Sequence, residues 1–357
     1  MNNEIKGTAI SLTGGLFHEN YAKTTHGLLR GSKRFDLKAI IDIDLRGVDA
    51  GVELDGLKRN IPIYHDVASF FDAGGEADYC IIGVATEGGI LPDSMRADIN
   101  DALNHGLSVI NGLHHFLTED KELVALAQKN NAFIFDIRKP KHRKHLSFWS
   151  GEIFAVKQPK IAVIGTDCAI GKRTTAKILT NALIEDGIKA DMIYTGQTGW
   201  MEGWKYGFIF DTTVNDFVSG ELEKAIVNCA QNENPDIILI EGQSALRNYS
   251  GPCGSELLLS ANVDGVILQY APGRKYFEGW EEQKLEIPSL ESEIALIELY
   301  GRKVIGVTLN TEGLTLEQAR QYQEKYQSKF GIPVSLPLEE GLESIISVLK
   351  NLIPSSS

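Results

Sequence analysis

The sequence is short of the features that would tie it to a membrane, a disulfide framework or a nucleic acid. Only four of its 357 residues are cysteine. Cys80, Cys168, Cys229 and Cys253 lie far apart without a Cys-x-x-Cys pair. That spacing offers neither a disulfide scaffold nor a zinc site, and no metal site is expected. No apolar run reaches the ~18 residues needed to span a bilayer. The opening MNNEIKGTAISLTGG lacks the charged-then-apolar plan of a secretory signal, so a cytoplasmic location is expected. Positive charge is in deficit: 35 Lys and Arg face 48 Asp and Glu, a net charge of −13. This balance withholds the sequence-independent attraction behind nucleic-acid and anionic-membrane binding. It leaves room for a local basic pocket that holds one small anion. Repeats of solenoid period are also absent.

What is present is alternation. Hydrophobic residues at 43% and charged residues at 23% fit a globular protein, and the length suits two domains better than one core. In the first 135 residues, buried-strand runs (37–43, 79–84, 108–110 and 132–135) alternate with helix-compatible stretches such as 91–105. From Lys160 the pattern repeats: strands at 160–164, 190–194, 236–240, 265–269, 303–309 and 333–336, with helices between them and one to close. Such alternation implies βαβ units and mostly parallel sheets. The expected fold is α/β, with two doubly wound three-layer domains. The N-terminal one (1–150) is Rossmann-like and the C-terminal one (151–357) is P-loop NTPase-like. Between them runs Arg138-Lys139-Pro140-Lys141-His142-Arg143-Lys144, read as a solvated linker or as a phosphate-facing edge of a cofactor pocket.

The most informative segment is Gly165-Thr166-Asp167-Cys168-Ala169-Ile170-Gly171-Lys172-Arg173-Thr174-Thr175, between a strand and a helix. Phosphate needs convergent backbone N–H groups and a positive charge; a glycine-rich turn opening a helix supplies the first and Lys172 the second. All these residues are cofactor-binding candidates, Asp167 being also a candidate acid–base group. The usual phosphate loop has four residues between its glycines and a Ser or Thr after the lysine. Here there are five, Arg173 takes the hydroxyl's place, and the hydroxyls follow at Thr174 and Thr175. That change weakens the case for a cleaved ATP–Mg²⁺ complex and suits phosphates that are held, as in coenzyme A.

Other segments gather at strand ends. Glu241, directly after a buried strand, reads as a general base, a metal ligand or a plain strand-end carboxylate. Gln197 and Thr198, in Gly196-Gln197-Thr198-Gly199-Trp200, read as part of a substrate-binding loop, as does Gln243. Arg247 and Arg274 are placed to clamp carboxylates. Cys168 is an acyl carrier or a small loop-filling residue. In the N-terminal half, Gly14-Gly15 and the strand end at Asp42 and Asp44 suggest dinucleotide binding, but a full Gly-x-Gly-x-x-Gly is missing.

With the phosphate loop, Gly196-Gln197-Thr198-Gly199-Trp200, Asn215-Asp216-Phe217, Glu241-Gly242-Gln243 and Pro272-Gly273-Arg274 in hand, the whole chain resembles a two-domain family. That family, long of unknown function, includes a bacterial D-glutamate N-acetyltransferase. Its phosphate-loop half is also similar to dethiobiotin synthetase, which shares the five-residue spacing but has Thr where this chain has Arg173. The first resemblance implies acetyl transfer from acetyl-coenzyme A to the amine of an acidic amino acid, D-glutamate, in its breakdown. The loop would then hold the cofactor, Arg274 and Arg247 the substrate, and Glu241 or Asp167 the proton. The rival readings are an ATP-dependent ligase or kinase using Mg²⁺, and a nucleotide sensor without catalysis. The partners expected are a small-molecule substrate and a second copy of the chain in a dimer, with no nucleic acid and no membrane.

Overall fold

The computed structural model describes residues 5–354. The chain forms two compact units. One runs up to Lys141 and also takes in Gln197–Lys205; the other comprises His142–Gly196 and the chain from Tyr206 onward.

The N-terminal unit has six parallel strands: β1 (Gly7–Leu12), β2 (Phe35–Ile41), β3 (Ile63–Tyr64), β4 (Tyr79–Ile82), β5 (Ser108–Asn111) and β6 (Ile134–Asp136). Their order is β3-β2-β1-β4-β5-β6, the Rossmann arrangement, with the reversal between β1 and β4. β5 is buried along its whole length, as expected where both faces of a parallel sheet are covered. The acid at the end of β2 is spent inside the protein. Asp42 Oδ2 accepts from Thr13 Oγ1 at 2.6 Å and from the backbone N–H groups of Gly15 (3.1 Å) and Phe17 (3.3 Å). The carboxylate that a dinucleotide fold offers to a ribose here folds the β1 loop instead, so the hint of dinucleotide binding at Gly14-Gly15 and Asp42 is lost. Asp136 does the same at the end of β6, accepting from Asn111, Leu117 and Thr118.

The segment Gly196 to Trp200 is not a loop. Gln197–Glu202 is a buried helix, and it belongs to the N-terminal unit. Gly112 makes room for it, since a Cβ there would lie 2.9 Å from Gln197 Cγ. Its last carbonyls find donors in the turn before β2: Arg34 Nε to Trp200 O at 2.7 Å, Ser32 Oγ to Met201 O at 2.9 Å, and Lys33 N to Glu202 O at 2.8 Å. The Arg34 guanidinium also lies 4.1 Å from the Trp200 ring centre. Arg138 is likewise buried, donating to Gly112 O, so the basic run is solvated only from Lys139 onward.

The C-terminal unit holds seven parallel strands: β7 (Lys160–Gly165), β8 (Ala190–Tyr194), β9 (Tyr206–Gly207), β10 (Ile237–Glu241), β11 (Gly265–Tyr270), β12 (Val304–Leu309) and β13 (Val334–Ser335). Their order is β13-β12-β11-β7-β10-β8-β9. β7 is buried at every residue and lies between β10 and β11, which brings three strand ends to the phosphate loop. Residues 147–153 form a strap across the helix Asn215–Glu233. Glu221 accepts from Ser147 N at 2.8 Å, while Glu223 accepts from Ser150 N at 2.6 Å and Ile153 N at 3.1 Å. Gly220 lets the strap approach, because a Cβ there would sit 2.0 Å from Ser147 O. Gly220→Ala is therefore expected to cost about 1–3 kcal/mol through backbone displacement. A thermal melt should record a Tm lower by several degrees.

Candidate phosphate-binding site

The site is built where β7 ends. Gly165 is bare because a Cβ there would lie 3.2 Å from Lys172 Cδ and 2.8 Å from Ile170 Cδ1. The chain then turns through two left-handed residues, Ala169 (φ 53°) and Gly171 (φ 102°), before the helix Lys172–Glu185 begins. Gly171 is the N-cap, and no side chain caps this helix. The first N–H groups of the helix, and the positive end of its dipole, therefore stand at the mouth of the loop.

One residue fixes the loop's shape. Asp167 is fully buried; its Oδ1 accepts from Cys168 N at 2.7 Å and Asn248 Nδ2 at 3.2 Å, its Oδ2 from Arg274 Nη1 and Glu278 N, both at 2.9 Å. Arg274 also donates to Cys168 O at 2.9 Å and pairs with Glu278 (2.9 Å) and Glu312 (2.6 Å). Its charge is thus spent on three of the protein's own carboxylates, and Asp167 is enclosed. The sequence offered Arg274 as a carboxylate clamp and Asp167 as a proton acceptor; in the fold each is a partner of the other.

Lys172 is buried, and its ammonium turns back onto the Asp167 carbonyl. Burial dominates its titration and holds its pKa below the ordinary lysine value, opposed in part by Cys168, Asp167, Cys253 and Glu241 nearby. An anion in the loop would relieve this desolvated charge. Glu241, at the end of β10, is also buried; its Oε2 accepts from Thr195 N at 3.1 Å, and its carbonyl accepts from Thr195 Oγ1 at 2.9 Å. Gln243 lies against Gly196, where a Cβ would fall 2.8 Å from its Nε2. Glu241, Gln243 and Lys172 thus occupy one end of the sheet.

The remaining candidates are divided. Thr175 donates its hydroxyl to Gln269 Oε1 at 2.7 Å, while Arg173 and Thr174 are half-buried in the first helical turn. Ile170 is buried, with its carbonyl accepting from Asn310 Nδ2 at 3.1 Å; Thr166 Oγ1 is buried without a partner. Cys168 is half-buried, its Sγ 3.6 Å from Ser244 Oγ, whereas burial pushes the neighbouring Cys253 thiol up to about 12. Arg247 gives Nε and Nη2 to a single oxygen of buried Glu293, at 2.8 and 2.5 Å, leaving Glu293 Oε1 unpartnered. Gln197 and Thr198 lie in the N-terminal unit, where Thr198 Oγ1 meets Thr24 Oγ1 at 3.0 Å. Asn248, Glu278 and Gln269 carry no motif, and only the fold brings them to the loop.

Two family models match this chain: a Rossmann-like domain over residues 43–140 and a P-loop domain over residues 147–346, both described as DUF1611 domains of unknown function. The chain belongs to the DUF1611 family. A D-glutamate N-acetyltransferase from Pseudoalteromonas sp. is 31% identical over 277 residues, 75% of this chain and 80% of that one. A protein of the same name from Tritonibacter scottomollicae is 28% identical over 307 residues, 84% and 88% of the two chains. The crystal structure of a DUF1611 family protein from Anabaena variabilis superposes with a TM-score of 0.86 at 26% identity, covering 97% of this chain and all of that one. Both expected domain folds are thus those of the family. No helix among the described residues is long and apolar enough to cross a membrane.

Two outcomes follow for this DUF1611 loop. Asp167→Asn sets an amide NH₂ against donors and removes a buried partner of Arg274; it should cost about 3 kcal/mol, measured by denaturant unfolding. Lys172→Met should do the reverse, raising Tm by a few degrees while weakening phosphate binding. Because the folded pKa of Lys172 lies below the unfolded value of 10.5, the unfolded chain binds more protons in that window. Stability therefore gains a component that rises with pH just below 10.5, and Lys172→Met should abolish it.

Proposed function

We propose that this chain is an N-acetyltransferase that moves the acetyl group of acetyl-coenzyme A to the amine of an acidic amino acid, D-glutamate, in the breakdown of that amino acid. The observation that carries the reading is the desolvated Lys172 at an uncapped helix N-terminus, with the Glu241 carboxylate at the end of the adjacent strand. It is supported by two relatives, each covering at least 80% of its own length, that bear the name D-glutamate N-acetyltransferase.

The coenzyme supplies an activated acetyl thioester when bound. In this reading the helix N–H groups and Lys172 hold its phosphates. Glu241, whose carboxylate is oriented by Thr195 N, takes the proton that the substrate ammonium must lose before its nitrogen can attack. The C–N bond forms as the C–S bond breaks; the nitrogen then sheds a second proton, which ends on the departing thiolate, while the first passes from Glu241 to solvent. Gln243, which lies with Glu241 against Gly196, is the neutral side chain that orients the amine in this reading.

The test is calorimetry and an acetyl-transfer assay over D- and L-amino acids. Coenzyme A should bind in the presence of EDTA, and D-glutamate should be acetylated. Glu241→Gln should lower turnover about 10²–10⁴-fold with coenzyme A affinity unchanged. Tight ATP–Mg²⁺ binding without measurable affinity for coenzyme A would overturn the proposal in favour of a ligase or kinase.

A further inference from the structure

Gln269 stands on β11 directly opposite Gly165, where the loop begins. Only 2% of it is exposed. Its Oε1 accepts from two buried hydroxyls, Thr175 Oγ1 at 2.7 Å and Thr308 Oγ1 at 2.5 Å. An amide whose oxygen is held by two donors must turn its NH₂ the other way. That NH₂ lies 3.8 Å from where a Cβ of Gly171 would stand, and it has no acceptor among the described residues. In the same loop Thr166, which donates its backbone N–H to Gln269 O at 3.2 Å, has a buried hydroxyl without a partner. A buried hydroxyl left unmet is costly, and an amide NH₂ without an acceptor beside it is a donor open to a ligand in the loop.

We propose that Gln269 is a phosphate-binding residue whose NH₂ donates to an oxygen of the phosphate seated on the loop. Arg173 fills the position next to the lysine, where the usual loop carries its metal-binding hydroxyl, and the Thr175 hydroxyl is turned to Gln269. The phosphate is then held by N–H donors and Lys172, without a divalent cation. A carboxamide suits this task because it is neutral, cannot lose its proton, and has its oxygen held by Thr175 and Thr308. The inference rests on the reading that the loop takes the cofactor's phosphates, and it adds the residue and the cation-independence to that reading.

The experiment is calorimetry on the full chain with coenzyme A and with inorganic pyrophosphate, in EDTA and in Mg²⁺. Wild type should bind both probes equally well in either buffer. Gln269→Met and Gln269→Glu should each weaken binding about 10- to 100-fold, the Glu variant more, with KM for acetyl-coenzyme A raised and kcat kept. A folded variant that binds both probes as tightly as wild type overturns the proposal, as does binding that requires Mg²⁺. If both variants fail to melt cooperatively, Thr308→Val, which frees the amide to rotate, should weaken binding several-fold, and unchanged affinity there overturns the proposal. Pyrophosphate binding that depends on Gln269 in a protein that acetylates no amino acid would sink the acetyltransferase reading and leave this one standing. A wild type that binds neither probe sinks both.

Discussion

The phosphate loop depends on one buried carboxylate. Asp167 gathers donors from four places: its own loop, the chain after β10, Arg274 beyond β11, and the backbone of Glu278. A carboxylate fully removed from water is tolerable only when its lone pairs are filled and its charge opposed, and both conditions hold here. Asp167 and Arg274 are locked together, Arg274 is held on Cys168 O, and the next residue, Ala169, is left-handed. The same device serves the N-terminal unit, where Asp42 and Asp136 fold the loops after β1 and β5.

Set against this frame, Lys172 is expensive. It is buried, its best partner is a backbone carbonyl, and burial holds its pKa down. A structural lysine would sit beside a carboxylate, as Lys160 does with Asp264 at 3.0 Å. An ammonium kept dry at an uncapped helix N-terminus instead stores binding energy for an anion.

Much of this was legible in the sequence, because it is local. The run from Lys160 to Gly165 and the glycine-bounded turn after it carry their own periodicity and turn chemistry. Strand ends gave Glu241 for the same reason: a parallel strand delivers its last side chain to the carboxyl edge of the sheet. What stayed hidden is non-local. Gly196 and Gly199 argue for a loop, and the donors that make Gln197–Glu202 a helix come from Ser32, Lys33 and Arg34, more than 160 residues earlier. Gln269 has no motif at all. Its place beside the loop follows from β11 lying beside β7 and from Thr175 and Thr308 meeting at its side-chain carbonyl, neither of which spacing reveals.

The two arginines read from sequence as equivalent show how far burial separates like residues. Arg274 has a side chain 10% exposed, faces three carboxylates and holds a backbone carbonyl as well. Moving it would strand Asp167 in a dry site, so it acts as framework. Arg247 has a side chain 34% exposed and gives two N–H groups to one oxygen of Glu293, whose other oxygen stays buried and unmet. Burial pushes the Glu293 carboxyl above its ordinary range, with Arg247 only partly opposing that. The pair is imperfectly satisfied on the Glu293 side and open to water on the Arg247 side. A guanidinium in that state loses less by turning toward another carboxylate than one at the centre of a filled network. Of the two, therefore, only Arg247 keeps the freedom that binding an acidic substrate would demand.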